Sequence, residues 1–116
     1  MRHKKGIKKL SKPTDQRIAL LKSLTKALIS YKQITITDTR AKEVKKYIEK
    51  LITLSKVDTV TNKRKVFDKL QDKELVKQLC LLSKNHVQRN GGYTRIIKKG
   101  YRQGDGALMS MIEFVS

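Results

Sequence analysis

Apolar side chains recur every three or four residues over most of the chain up to residue 85, and they alternate with polar ones elsewhere. Pro13 and Thr14-Asp15 supply a rigid entry, a capping side chain and a negative charge beside the positive end of a helix dipole. A first helix is therefore predicted to about Lys32. One apolar stripe along it should face the core, made of Ile18, Leu21, Leu24, Leu28 and Tyr31.

A strand and three further helices are predicted next. Residues 33–37 alternate at period two with β-branched side chains, which predicts a short strand with Ile34 and Ile36 inward. Asp38 can cap a second helix, and Asp72 can cap a fourth. The apolar positions expected to be buried in the second helix are Ala41, Val44, Ile48, Leu51, Ile52 and Ser55. Those of a third, short helix after residues 58–59 are Val60, Val66, Phe67 and Leu70, and those of the fourth are Leu75, Val76, Leu79, Cys80 and Leu82.

Two glycines, Gly91-Gly92, end the helical region because they favour an irregular backbone. Two strands are predicted after them, over residues 93–98 and 108–115, joined by a glycine-bearing hairpin loop. A chain of 116 residues allows one domain. The predicted fold class is α+β, a two-layer α/β single domain over residues 13–116 in the order α-β-α-α-α-β-β, preceded by a basic extended arm over residues 1–12.

The balance of charge indicates that this small domain binds another molecule. There are 28 Lys and Arg residues against 10 Asp and Glu, a formal net charge of +18, whereas small domains usually carry about 2 to 8 charges. Two regions contain no acid, residues 1–12 and residues 89–102. The arm alone in water is expected to be disordered, and both regions favour binding to a polyanion.

Other chemistry finds little support in the residues. His3 and His86 are far apart in sequence, Cys80 lies in an apolar helical run, and one cysteine permits no internal disulfide. Asp68, Asp72 and Glu74 match no known metal loop, and a helix cap explains them better. No metal, cofactor, catalytic residue or small-molecule substrate is therefore expected.

The longest apolar runs have four residues, against about 20 for a membrane span, so no membrane partner is expected. The basic N-terminus is followed by no apolar signal region, which predicts an intracellular, cytoplasmic protein.

The kind of nucleic acid follows from how the charge is arranged. No helix shows a base-reading face joined to a supporting helix, as direct DNA readout would require. A basic arm, basic helical faces and a basic glycine-bearing loop instead favour a folded RNA. Tyr101 is a candidate stacking platform, and Tyr93, on an alternating strand, fits a stacking platform or the core equally well. Two alternatives remain open, an RNA-processing enzyme and a DNA-compacting architectural protein.

Four stretches resemble the bacterial large-subunit ribosomal protein L17 family: Met1-Arg2-His3, residues 17–21 with Leu24, residues 51–67 and residues 90–113. The motif Gly-Gly-Tyr-Thr-Arg, followed by Arg-x-Gly-Asp, is close to diagnostic. The resemblance implies a non-enzymatic structural constituent of the large ribosomal subunit. It would bind large-subunit ribosomal RNA (rRNA) near the exit of the peptide tunnel, beside neighbouring ribosomal proteins.

The resemblance and the charge pattern together name the expected RNA contacts. Residues 1–12, Arg17, Lys63, Arg64 and residues 91–102 are carried over by position from the family, and Arg89 belongs to the second acid-free region. The full set is Arg2, His3, Lys4, Lys5, Lys8, Lys9, Lys12, Arg17, Lys63, Arg64, Arg89, Gly91, Gly92, Tyr93, Arg95, Lys98, Lys99, Tyr101 and Arg102.

Overall fold

Four helices and three strands follow one another in the predicted order in a computed structural model, which describes residues 14–57, 59–88 and 91–115. The arm predicted over residues 1–12 lies outside the described residues. The elements are α1 (Thr14–Tyr31), β1 (Gln33–Thr37), α2 (Asp38–Ser55), α3 (Val60–Leu70), α4 (Lys73–Lys84), β2 (Thr94–Tyr101) and β3 (Leu108–Phe114). The α+β prediction is confirmed.

The three strands form one antiparallel sheet in the order β1-β3-β2. Ile34, Ile112 and Ile96 stand opposite one another across the sheet, and all three belong to or pack against the buried core. Helix α2 packs on all three strands and on the other three helices. It therefore joins the helical layer to the sheet, and all six of its predicted core positions are buried.

The start of α2 differs from the prediction. Thr37, not Asp38, occupies the N-cap position, and it makes no side-chain capping bond. Asp38 is the first helical residue, where its buried carboxylate accepts a hydrogen bond from the Ser110 hydroxyl at 2.6 Å and pairs with Lys42 at 3.2 Å. The hydrogen bond from Ser110 lowers the pKa of Asp38 most, and the hydrogen bond and charge of Lys42 lower it further, although burial acts in the opposite direction. This aspartate thus fastens the helix to β3.

The cap predicted at Asp72 is confirmed, because its carboxylate accepts from the backbone N–H groups of Glu74 and Leu75 at 3.0 and 3.3 Å. Two parts of the predicted core are wrong. Ile18 and Tyr31, at the two ends of the α1 stripe, are exposed, and so are Val60 and Phe67 on α3. A periodic apolar stripe therefore does not by itself show how much of a helix its neighbours cover.

Candidate nucleic-acid interface

The β2–β3 hairpin carries exposed cations and one exposed aromatic ring. We call these side chains together the hairpin surface; they are Arg95, Lys98, Lys99, Tyr101 and Arg102. Arg95 and Lys98 lie on opposite faces of the sheet, because the strand pairing is regular from Thr94 to Lys98. Strand β2 runs to Tyr101, three residues past the predicted end, because a bulge between Lys98 and Gly100 absorbs a register shift. Gly100 has φ of +119°, a backbone conformation that favours glycine. Tyr101 is 77% exposed, as a base-stacking side chain must be.

The loop that closes the hairpin is held by an arginine clamp. The Arg102 backbone N–H donates to the Ala107 carbonyl at 2.8 Å, and the Gly106 N–H donates back to the Arg102 carbonyl at 3.0 Å. The Arg102 guanidinium also binds Asp105 through Nε, at 3.1 Å, and through Nη2, while Asp105 accepts from the Ala107 N–H. The hydrogen bond from the Arg102 side chain, and to a lesser extent the one from the Ala107 N–H, lower the pKa of Asp105 to about 2. The loop is therefore shaped before any partner arrives.

The second acid-free region of the sequence is not free of acids in space. Arg95 pairs with Glu113, its cross-strand partner on β3, and Arg102 pairs with Asp105. Within the described residues, Lys98 and Lys99 take part in no ion pair, although Lys98 is near enough to Asp38 to help lower the pKa of that carboxyl. An unpaired exposed ammonium can neutralise a phosphate without first giving up a carboxylate. The two lysines are thus the best placed of these cations to meet RNA.

The root of the hairpin is anchored by Glu49 of α2, whose spacing from Lys45 in the sequence predicts only a solvated ion pair. Its carboxylate accepts from the Thr94 N–H and hydroxyl at 3.2 and 3.0 Å, from the Gly92 N–H at 3.4 Å and from Lys45 Nζ at 3.0 Å. Lys45 Nζ also donates to the Thr94 carbonyl at 2.6 Å. Burial disfavours the charged carboxylate, but hydrogen bonds from Lys45 and Thr94 outweigh it and lower the pKa of Glu49. The helix thereby fixes where β2 begins.

This anchor also bears on the two glycines. Gly91 and Gly92 have positive φ of 151° and 65°, and a Cβ built on either would meet nothing within 4 Å. The glycines are thus required by backbone conformation and border open space. The Gly92 N–H donates to the Glu49 carboxylate at 3.4 Å.

Of the two roles that the sequence leaves open for Tyr93, the structure shows the core, because the ring is 1% exposed and cannot stack on a base. The ring contacts His86 edge to face at 5.6 Å, lies 5.1 Å from Lys56 Nζ, and shares a hydrogen bond with Thr53 at 3.2 Å. Hydrogen bonds to Lys56 and Thr53 lower the pKa of the Tyr93 hydroxyl. Since alternation along a strand does not reveal which face is covered, the sequence could not separate this tyrosine from Tyr101.

Three other predicted contacts are described by the structure, and they lie on α1 and α3. Arg17 is half-buried in the first turns of α1, whose main packing partners are the other three helices and β1. Lys63 and Arg64 are exposed on α3 and line a groove between α3 and α4. The arm cations and Arg89 lie outside the described residues.

Two side chains that the sequence analysis considered as metal ligands lie in or beside the core. His86 is buried against Tyr93, and Cys80 is half-buried at the edge of the core. No three His, Cys, Asp or Glu side chains in the described part of the chain come together as metal ligands. Among the same residues, none of the helices has the length and apolar character needed to cross a bilayer.

Comparison with known proteins agrees with the hairpin motif and with the order of elements. The family model described as "Ribosomal protein L17" matches residues 20–115. The chain is 49% identical to "Large ribosomal subunit protein bL17" of Dictyoglomus thermophilum, and the aligned 116 residues cover 99% of this chain and 100% of that protein. It is 48% identical to the protein of the same name from Dictyoglomus turgidum, with the same coverage. With a match over the whole folded body, the chain belongs to the ribosomal protein L17 family.

Proposed function

We propose that this protein binds large-subunit rRNA by placing the hairpin surface and the basic arm against phosphate-rich RNA. As a member of the L17 family, it is a structural protein of the ribosome and not an enzyme. The observation that carries the RNA proposal is the pair of exposed, unpaired lysines, Lys98 and Lys99, on a hairpin whose two ends are held in place. A rigid basic element loses little entropy when it binds.

The mechanism is electrostatic and architectural. Lys98 and Lys99 neutralise phosphates and release counterions, which lets RNA segments approach one another closely. Tyr101 stacks on an unpaired base, and the guanidinium groups of Arg95 and Arg102 use their remaining N–H groups for phosphate or sugar contacts. Glu49 acts at a distance, because it fixes the strand on which these side chains stand.

A salt titration tests the RNA contacts. The affinity of the full chain for transcribed large-subunit rRNA fragments is measured at several salt concentrations, for the wild type and a Lys98→Ala, Lys99→Ala double variant. We expect the double variant to flatten the slope of log K against log salt by about one to two, since each lost phosphate contact contributes about 0.7 to 0.9.

The matched control is the Lys65→Ala, Lys69→Ala variant, which removes two exposed lysines of α3. These lysines do not belong to the hairpin surface and do not line the groove between α3 and α4. The slope of the control variant should change less than that of the hairpin variant. Equal slopes for the two double variants would refute a specific role of the hairpin. Removal of residues 1–12 should flatten the slope further, and an unchanged slope would refute the role of the arm.

Competition between rRNA fragments and duplex DNA separates rRNA binding from the alternative of a DNA-compacting protein. Duplex DNA of random sequence should displace the rRNA fragments poorly if the folded shape of the RNA is recognised, and it should compete equally if only charge density matters.

We place the protein near the exit of the peptide tunnel, beside neighbouring ribosomal proteins, on its family resemblance. Electron cryomicroscopy of large subunits purified with this chain tests both the location and the neighbours. Density for the hairpin far from the tunnel opening would overturn the location without affecting RNA binding.

A further inference from the structure

A groove with an apolar floor separates α3 from α4, away from the hairpin surface. Val60 and Phe67 of α3 are 66% and 38% exposed, and Leu81 of α4 is 62% exposed. Val76 and Cys80, which contact the buried core, complete the apolar lining. The groove has a volume of about 790 Å³. Exposed Val, Leu and Phe side chains collected in one concavity are typical of a binding surface for another macromolecule.

The rim of this groove is strongly basic. Among the residues that the structure describes, five cations and one acid, Asp68, border the apolar lining. The cations are Lys63, Arg64, Lys73, Lys77 and Lys84. An occupant must therefore supply both apolar area for the floor and negative charge for the rim.

We propose that this groove, which we call the α3–α4 groove, binds an amphipathic α-helix of another protein, with an apolar ridge flanked by Asp and Glu. Helices α3 and α4 have 11 and 12 residues, and so are about 16 to 18 Å long at 1.5 Å per residue. That length matches about three turns of a partner helix, whose residues i, i+3 or i+4, and i+7 form one ridge. The ridge covers Phe67 and Leu81, and the carboxylates meet the lysines of the rim.

Other occupants fit these observations less well. RNA would satisfy the cations but would leave Val60 and Leu81 without apolar partners. A second copy of this chain would bring two basic rims together, and like charges across an interface oppose association. The groove thus assigns Lys63 and Arg64 to protein carboxylates instead of the rRNA phosphates expected from the sequence.

A designed peptide tests the groove with the full-length protein. The probe is a fluorescein-labelled helical peptide of about four turns on an alanine background, with a leucine ridge at i, i+4 and i+7 flanked by glutamates. The control peptide has the same composition, but its leucines are distributed around the helix. Fluorescence anisotropy should show the probe binding at least about tenfold more tightly than the control, because only the probe presents a continuous apolar ridge.

Paired variants separate the groove from general charge attraction. Leu81→Asp should weaken probe binding by about tenfold or more, since it places a carboxylate against the apolar ridge. Val87→Asp makes the same change at a valine that is 56% exposed outside the groove lining, and it should leave binding nearly unchanged. Lys77→Glu on the rim should weaken binding more than Lys65→Glu, which lies off the rim. Circular dichroism confirms that each variant is folded.

The single cysteine of the chain supplies a second readout inside the groove. A bound peptide should slow the reaction of Cys80 with a maleimide, and the Leu81→Asp variant should abolish this protection. Three results would overturn the proposal: equal binding of probe and control peptides, equal effects of Leu81→Asp and Val87→Asp, or an unchanged Cys80 rate at saturating probe. Stronger Cys80 protection by a short RNA than by the probe, or dimerisation that Leu81→Asp abolishes, would assign the groove to RNA or to a second copy instead.

Discussion

Replacement of Glu49 should both destabilise the protein and loosen the hairpin surface. The Glu49 carboxylate accepts four hydrogen bonds at 3.0 to 3.4 Å, two of them from Thr94, which is buried at the start of β2. Glu49→Ala removes every one of these acceptors. Strand β2 then keeps its pairing with β3 but loses its tie to α2.

The expected cost follows from which donors stay unsatisfied. The Thr94 N–H loses its acceptor in a buried place, which costs about 1 to 3 kcal/mol, whereas Lys45 still donates to the Thr94 carbonyl. Loss of the charge-assisted bonds raises the total to about 2 to 4 kcal/mol. For a domain of this size that corresponds to a fall in the melting temperature of roughly 8 to 16 °C.

Urea unfolding followed by circular dichroism measures the free energy of unfolding. Glu49→Gln, which keeps one acceptor but no charge, should lose about half as much stability as Glu49→Ala. The control is Asp68→Ala, an exposed carboxylate on α3, which should stay within about 0.5 kcal/mol of the wild type. A loss no larger for Glu49→Ala than for Asp68→Ala would refute the anchor.

The pH dependence of stability independently tests whether the charged form of Glu49 stabilises the folded protein. The pKa of Glu49 in the folded protein is lower than its ordinary value of 4.5, so the stabilisation is complete above pH 4.5. It is lost as the pH falls through the folded pKa. The stability gap between the wild type and Glu49→Gln should therefore narrow below pH 4.5, and a gap that widens there would contradict the assignment.

Three further predictions concern the core, the α2–β3 fastening and the hairpin loop. Tyr93→Ala should cost about 3 to 5 kcal/mol in urea unfolding, against about 1 to 2 for Tyr93→Phe, which keeps the ring but loses the hydroxyl's hydrogen bonds to Lys56 and Thr53; similar losses would show that the ring is not core. Ser110→Ala should cost about 1 to 3 kcal/mol in the same assay, because it removes the donor to buried Asp38, and a neutral effect would refute that role. The Ala107 amide resonance should titrate with a midpoint near pH 2, because the pKa of Asp105 is about 2. The hydrogen bond from this amide to the Asp105 carboxylate is lost as the pH falls through that value, and Asp105→Ala should abolish the titration.

The helices and their order were accessible from the sequence because their signals are local. The α2 core positions follow a 3.6-residue period, and the Asp72 cap needs only the next three residues. Asp105 also had a local signal, since it stands three residues after Arg102 in a glycine-bearing loop. The Arg95–Glu113 pair required the register of the hairpin, which the sequence suggests only in outline.

Glu49 and the two tyrosines show what local pattern does not contain. Glu49 looks like a surface acid beside Lys45, yet it binds a segment more than 40 residues away. Tyr93 and Tyr101 have the same residue type in the same basic region, but one is in the core and the other is 77% exposed. Burial depends on which element lies over a side chain, and that is a property of packing between distant parts of the chain.

The sequence by itself determined the class of fold, the family and the surplus of positive charge, because periodicity, motif and net charge are all carried by the residues in order. Only the tertiary structure decided which of the described cations are paired with carboxylates. Carboxylates from α2, β3 and the hairpin loop are brought against the basic segment, and they leave Lys98 and Lys99 as its cations without an ion pair in the described structure. The sequence gives the number of charges, but an ion pair forms only between groups a few ångströms apart, and that distance is set by the folded structure.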